Sequence, residues 1–116
     1  AHCDVGIHFF RKSDPARPVV GSPLKLFDYM SCAMPVIVNA PGQQARIIEE
    51  TGCGWFAEPS VDGMVRQLMA VAANPEDVVS RGQRARAAVL SRYNWRINAE
   101  ETLSVIESLV EGGRRT

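Results

Sequence analysis

The chain has 116 residues, 46% of them apolar, and its 13 basic and 13 acidic side chains leave no net charge. That length supports one domain of modest core, and the charge balance excludes electrostatic steering toward nucleic acid or an acidic surface. No apolar run approaches the roughly 20 residues that span a bilayer and no signal peptide is visible, so the chain reads as soluble and cytoplasmic.

Val5 to Phe9 is a nearly continuous apolar run, which predicts a strand buried on both faces. Residues 11–22 (RKSDPARPVVGS) carry three basic side chains and two prolines and predict a loop long enough to bind a ligand. Ser22 is a good N-cap, and Pro23 suits the next position because its missing N–H has no partner to lose there. A helix is therefore expected from Pro23 to Ala33. Its free N–H groups and dipole favour an anion at the start, and Lys25 in the first turn adds a full positive charge. Lys25 and Asp28 are three residues apart and share a face, so the ammonium can take a phosphate while the carboxylate takes the two hydroxyls of a ribose. A solvated ion pair between the two is the competing reading of that spacing.

Pro35 to Asn39 follows as a second strand, then a Pro41-Gly42 turn. Gln43 to Thr51 reads as a short helix ended by Gly52, with Ile47 and Ile48 inward and Arg46, Glu49 and Glu50 outward. Cys53 to Ala57 is the third strand. Alternating strands and helices imply right-handed crossovers and a parallel sheet, with the loops around Gly21 and Gly42 at the edge where open α/β folds bind nucleotides.

After Pro59 the pattern is all helix. Ser60 caps a helix from Val61 to Ala73, whose Val61, Met64, Val65, Leu68, Met69 and Ala72 recur at helical spacing and read as core filling. Asn74-Pro75 opens the next helix, acidic at its start and carrying Arg81, Arg84, Arg86 and Arg92 farther along, which reads as a solvated face. Tyr93 and Trp95 are expected to pack at its end. Ile97 to Val110 forms a last amphipathic helix, and Gly112 to Thr116 a frayed tail. Cys3, Cys32 and Cys53 are odd in number, lack metal-ligand spacing and sit among apolar residues, so buried reduced thiols are expected and no metal. His2 and His8 are the only histidines. His8, near the end of the first strand, is read as an interior or edge residue or as a contact to the ligand. No Ser/His/Asp or Cys/His arrangement points to a hydrolase.

Four stretches, "CDVGIHFF", "GSPLKLFDYMSCAMPVIVNAPG", "IIEETGCGWFAEPS" and "RGQRARAAVLSRYNW", resemble the nucleotide-binding domain of GT-B glycosyltransferases of the family 4 type. The resemblance implies an α/β fold: a partial Rossmann-like parallel sheet of about three strands with flanking helices and a helical C-terminal tail. It implies the second half of a donor-binding domain, with a βαβαβ nucleotide-binding part at 1–59 and C-terminal helices at 60–116. The start without methionine, directly on a strand, also suggests a partial domain, whose uncovered sheet edge and apolar face would favour self-association. Asp28 falls where the family has the second Glu of a Glu-x7-Glu motif, the residue that holds the donor ribose, and is one methylene shorter. The first Glu falls at Val20. Gly21, Ser22, Leu24 and Lys25 fit a Ser-Pro-x-Lys variant that lies along the diphosphate, and Gly42 matches a glycine whose backbone approaches the donor.

The implied activity is the sugar-nucleotide-binding part of a retaining glycosyltransferase acting on a glycan or lipid-linked acceptor, in the cytoplasm or at the inner face of the membrane. The acceptor would be held by a separate N-terminal domain. The nucleoside-diphosphate sugar is a substrate, and no cofactor is implied. Three rivals are weighed: a non-catalytic nucleotide-sugar-binding module, a sugar-nucleotide epimerase of related architecture, and a flavodoxin-like signalling domain. The last should carry an acidic cluster after the first strand, where this chain has Arg11, Lys12 and only Asp14.

Overall fold

The computed structural model describes residues 3–10 and 24–113. Its elements run β1 (Gly6–His8), α1 (Leu24–Ser31), β2 (Val36–Val38), α2 (Gln43–Thr51), β3 (Gly54–Phe56), α3 (Val61–Ala72), α4 (Pro75–Ser91) and α5 (Trp95–Gly113). The fold is the expected α/β arrangement, a three-stranded parallel sheet in the order β1-β2-β3. Each strand is shorter than its apolar run by a residue at either end. The helix α5 is longer than its apolar stripe and takes in Gly112 and Gly113. The loop at 11–22, the Ser22 cap, Pro23, Val20 and His2 lie outside the described residues.

Gly6, Val36 and Gly54 stand opposite one another across the sheet, as do Ile7, Ile37 and Trp55. Successive side chains of a strand point to opposite faces, so this register sorts the apolar residues into two layers. Val36 and Val38 pack with Leu26 and Met30 of α1, Ile47 and Ile48 of α2, Cys53, and Ala85 of α4. On the other face Ile37 meets Ala57 and Val71, with Val5, Phe9, Trp55 and Val78 against them. Both connecting helices lie on the first face, so the two crossovers have one hand. β2 is buried on both faces. β1 is not: Ile7 is 43% exposed, because among the described residues β1 pairs only with β2.

The helix α4 binds the layers together. Its Val78 sits in one layer and its Ala85 in the other, so it passes around the amino ends of the strands. The closest approach is at Gly82, where an added Cβ would lie 2.1 Å from the Ala33 carbonyl oxygen and 3.3 Å from Pro35. Only glycine allows that contact. On either side arginines donate to backbone carbonyls at this edge: Arg81 to Gly54 at 2.7 Å, Arg84 to Gly52 at 3.1 Å, and Arg86 to Ser31. Arg81 also pairs with Asp77 at 2.9 Å and lies over the Trp55 ring at 4.9 Å. The expected solvated arginine face is present, with Arg84, Arg86 and Arg92 exposed, but three of its arginines also bond the sheet edge: the part-buried Arg81 bond is charge-assisted and worth about 1.5–3 kcal/mol, and the exposed Arg84 and Arg86 bonds contribute less.

The ends of the helices follow local chemistry. Ser60 accepts from the Gly63 N–H at 3.0 Å, and Gly52 closes α2 in the left-handed region. After α1, the Met34 N–H donates to Tyr29 O and the Ala33 N–H to Met30 O, a Schellman arrangement with Ala33 at φ 56° where glycine is usual.

Three expectations fail on burial. The stripe on α3 is largely uncovered, with Met69 69% exposed, and α5 has no buried residue. Cys3 and Cys32 are exposed, and only Cys53 is buried. Periodicity and apolar neighbours in sequence define a face but not a partner for it.

Gly82→Ala should destabilise the chain by about 1–3 kcal/mol through overpacking, whereas Gly112→Ala, with open space around it, should stabilise α5 by about 0.5–1 kcal/mol. Ala33→Gly should add about 1 kcal/mol by relieving the left-handed strain. Urea denaturation of the three variants checks the set, and a neutral Gly82→Ala would contradict the close crossing.

Candidate functional site

The carboxyl ends of the strands carry the polar residues that the apolar core does not absorb. Asn39, buried at the end of β2, accepts from the Phe10 N–H and donates to the Phe10 carbonyl, both at 2.8 Å. Its side chain thus extends the ladder between β1 and β2 by one pair and fixes where the chain leaves the sheet. Sequence reasoning gave Asn39 no role beyond ending a strand. The signal was there, an amide directly after an apolar run at the sheet edge used for binding.

His8, at the end of β1, makes an edge-to-face contact with Phe10 at 4.6 Å. Burial pushes its pKa down, and the Lys25 ammonium of α1 adds to the effect. Lys25, exposed in the first turn of α1, stands one turn before Tyr29. Tyr29 lies against Gly6 of β1. Gly42 forms the N-cap of α2 at φ 96° and ψ −138°, a conformation open to glycine and costly for other residues, and no side chain caps the helix there. Gln44, in the first turn of α2, is 1% exposed, and its amide has no partner among the described residues.

A second stripe of α1 adjoins the first. Leu24, Phe27, Asp28 and Ser31, at helical spacing, form one wall of a cavity of about 540 Å³ that Gln43, Arg92, Tyr93, Trp95, Asn98 and Glu101 complete. Tyr93 packs on Phe27 at 5.5 Å between ring centroids, as expected of a residue at the end of α4. Trp95 does not pack: it is 78% exposed. Arg92 is paired with Glu50 at 3.2 Å, and the Asn94 amide is bonded to the Val89 and Leu90 carbonyls.

Of the residues that the sequence singled out, Leu24 and Asp28 line this cavity and Gly42 adjoins it through Gln43. Lys25 stands exposed on the neighbouring stripe of the same helix, with Tyr29. No ion pair joins Lys25 to Asp28 among the described residues, so the solvated-pair reading is not what forms. Gly21 and Ser22 lie outside the described residues.

A sequence model of a family described as glycosyl transferase-like matches residues 1–104. The chain belongs to this glycosyl transferase-like family. The match takes in the whole sheet, α1 to α4 and the cavity wall supplied by the start of α5. No curated protein and no solved structure matches the chain. Among the described residues of this glycosyl transferase-like chain, no helix is long and apolar enough to cross a membrane.

The depressed His8 pKa has a consequence for stability. The folded chain favours the neutral ring, so below the ordinary value of 6.5 the unfolded chain binds more protons than the folded one. The stabilisation is present above that value and is lost as pH falls through the lowered folded value. Urea midpoints should therefore decline between pH 7.5 and 5.5, and His8→Gln should flatten the decline; an unchanged slope would place His8 in water.

Proposed function

We propose that the chain is the donor-binding part of a retaining glycosyltransferase of the GT-B family 4 type and takes a nucleoside-diphosphate sugar. The observation that carries the reading is that Asp28 lines a cavity while Lys25 stands exposed one position off that stripe in the first turn of α1, with no ion pair between the two among the described residues. A diphosphate at the helix start would meet Lys25, the free N–H groups of the first turn and the backbone of the Gly21-Ser22-Leu24 segment. The ribose would sit one turn along with its two hydroxyls on the Asp28 carboxylate, and the backbone at Gly42 would border the donor. Family membership supports a transferase; the retaining course, the donor and the acceptor belong to the proposal.

With no evident nucleophile in these residues, the chemistry they can supply is positioning and charge stabilisation. Bond cleavage at the anomeric carbon leaves negative charge on the diphosphate, and Lys25 with the helix N-terminus opposes it where it develops. A glycan or lipid-linked acceptor would be held by a separate N-terminal domain on the cytoplasmic side.

Calorimetric titration of the intact protein tests the assignment. Lys25→Ala and Asp28→Ala should each weaken nucleoside diphosphate binding by about 1.5–3 kcal/mol, the range for hydrogen bonds to charged groups. The two should differ in kind. Lys25→Ala should spare the nucleoside, and Asp28→Ala should weaken nucleoside and diphosphate alike while sparing a 2′,3′-dideoxy analogue. Unchanged affinity in both variants would remove the donor from this helix.

A further inference from the structure

We propose that Gln44 recognises the sugar of the donor, through hydrogen bonds between its amide and sugar hydroxyls at the amino end of α2. The inference rests on the reading of Lys25 and Asp28 as nucleotide ligands and goes on to the glycosyl group, to which that reading assigns no side chain. Among the described residues three buried side-chain nitrogen and oxygen atoms have no hydrogen-bond partner, and they are His8 Nε2, Gln44 Nε2 and Gln44 Oε1. All three belong to one end of one face. His8 stands opposite Val38 in the register of β1 and β2, so it shares the face on which Val36 and Val38 meet Ile47 and Ile48 of α2. Gln44, one turn before those isoleucines, is the other buried residue of α2. Side chains on a helix lean toward its amino end. The Gln44 amide is therefore directed to the carboxyl edge of the sheet, where the chain passes from β2 to α2 through Gly42.

A buried amide without partners is costly, and native structures hold few of them. At 1% exposure the Gln44 amide is shielded from bulk water, and a leucine or methionine would fill its place beside Ile47 and Ile48 without that cost. The start of α2 is open in the same way. It has no side-chain cap, and Gly42 stands there at φ 96°, so the first backbone N–H groups add donors at the same place. The inventory of donors and acceptors decides the ligand. An ionised diphosphate only accepts hydrogen bonds, which suits Nε2 and the helix N–H groups but leaves Oε1 unmatched. A hydroxyl both donates and accepts, and a sugar ring presents neighbouring hydroxyls that can serve Oε1 and Nε2 together. His8, kept neutral by burial, adds one further unmatched nitrogen at the end of the adjoining strand.

Calorimetric titration of the intact protein tests this with paired probes: UDP and UDP-glucose, GDP and GDP-mannose, ADP and ADP-glucose, dTDP and dTDP-glucose. The wild type should bind at least one pair. Gln44→Met and Gln44→Leu should weaken the sugar nucleotide of that pair about tenfold, as the loss of one or two hydrogen bonds does, and leave the nucleoside diphosphate unchanged. Both variants should also raise the urea midpoint of the ligand-free protein, because each removes two unmatched buried atoms, so weaker binding cannot be put down to a damaged fold. An equal loss for sugar nucleotide and nucleoside diphosphate would place a phosphate at the start of α2, and unchanged affinity for both would leave the amide to a buried water. Either result overturns the inference, and the proposed function stands if Lys25→Ala and Asp28→Ala still weaken nucleoside diphosphate binding. If the wild type binds no pair, or if Lys25→Ala and Asp28→Ala change nothing, both fall.

Discussion

The passage of α4 around the amino edge of the sheet is the contact on which the other elements depend. Three short strands and two short helices bury one continuous layer around β2, and sheets this small are marginal alone. At Gly82 the α4 backbone comes close enough to the Ala33 carbonyl that no side chain fits between them. The flanking arginines then satisfy the carbonyls that the ends of α1, α2 and the start of β3 present at that edge. Buried or half-buried carbonyls without partners would each be costly. One helix thus supplies both apolar closure and polar satisfaction.

That arrangement leaves the carboxyl edge of the sheet available for binding. The amino edge is closed by glycine and arginine contacts whose geometry tolerates little change. The opposite edge carries groups whose partners are incomplete or local: Asn39 holding the end of β1, His8 kept neutral, Gly42 in a conformation suited to glycine, and the uncapped start of α2. Because α1 runs from one edge to the other, its C-terminal anchoring by Gly82 and Arg86 also sets the direction in which Lys25 and Asp28 point. The two edges are joined through a single eight-residue helix.

The helices after β3 differ in how they use their apolar faces. α4 buries residues in both layers, α3 only Gly63 and Val71, and α5 none. The difference follows from position: α4 lies across the sheet, while α5 projects from its end and touches the domain chiefly where Trp95, Asn98 and Glu101 border the cavity. The two surface ion pairs at Arg66–Glu58 and Arg96–Glu100 are open to solvent and add little to either helix.

The amino-acid sequence alone determined the order of elements, the parallel sheet, the Ser60 cap, the Gly52 stop and the inward face of α2, because each rests on chemistry confined to a few neighbouring residues. It also singled out Asp28 and Lys25, through the Ser22-Pro23 start signal expected ahead of them and the resemblance of the segment around it. It gave them different expected roles but not their surroundings, since a three-residue spacing fixes an angle around a helix axis and not what stands opposite. Only the tertiary structure decided that Asp28 lines the cavity, that Arg81, Arg84 and Arg86 bond the sheet edge, and that Trp95 is bare while Tyr93 is packed. The same physical reason governs all three: each depends on contacts between residues some seventeen to seventy positions apart in the chain, set by where α4 crosses the sheet.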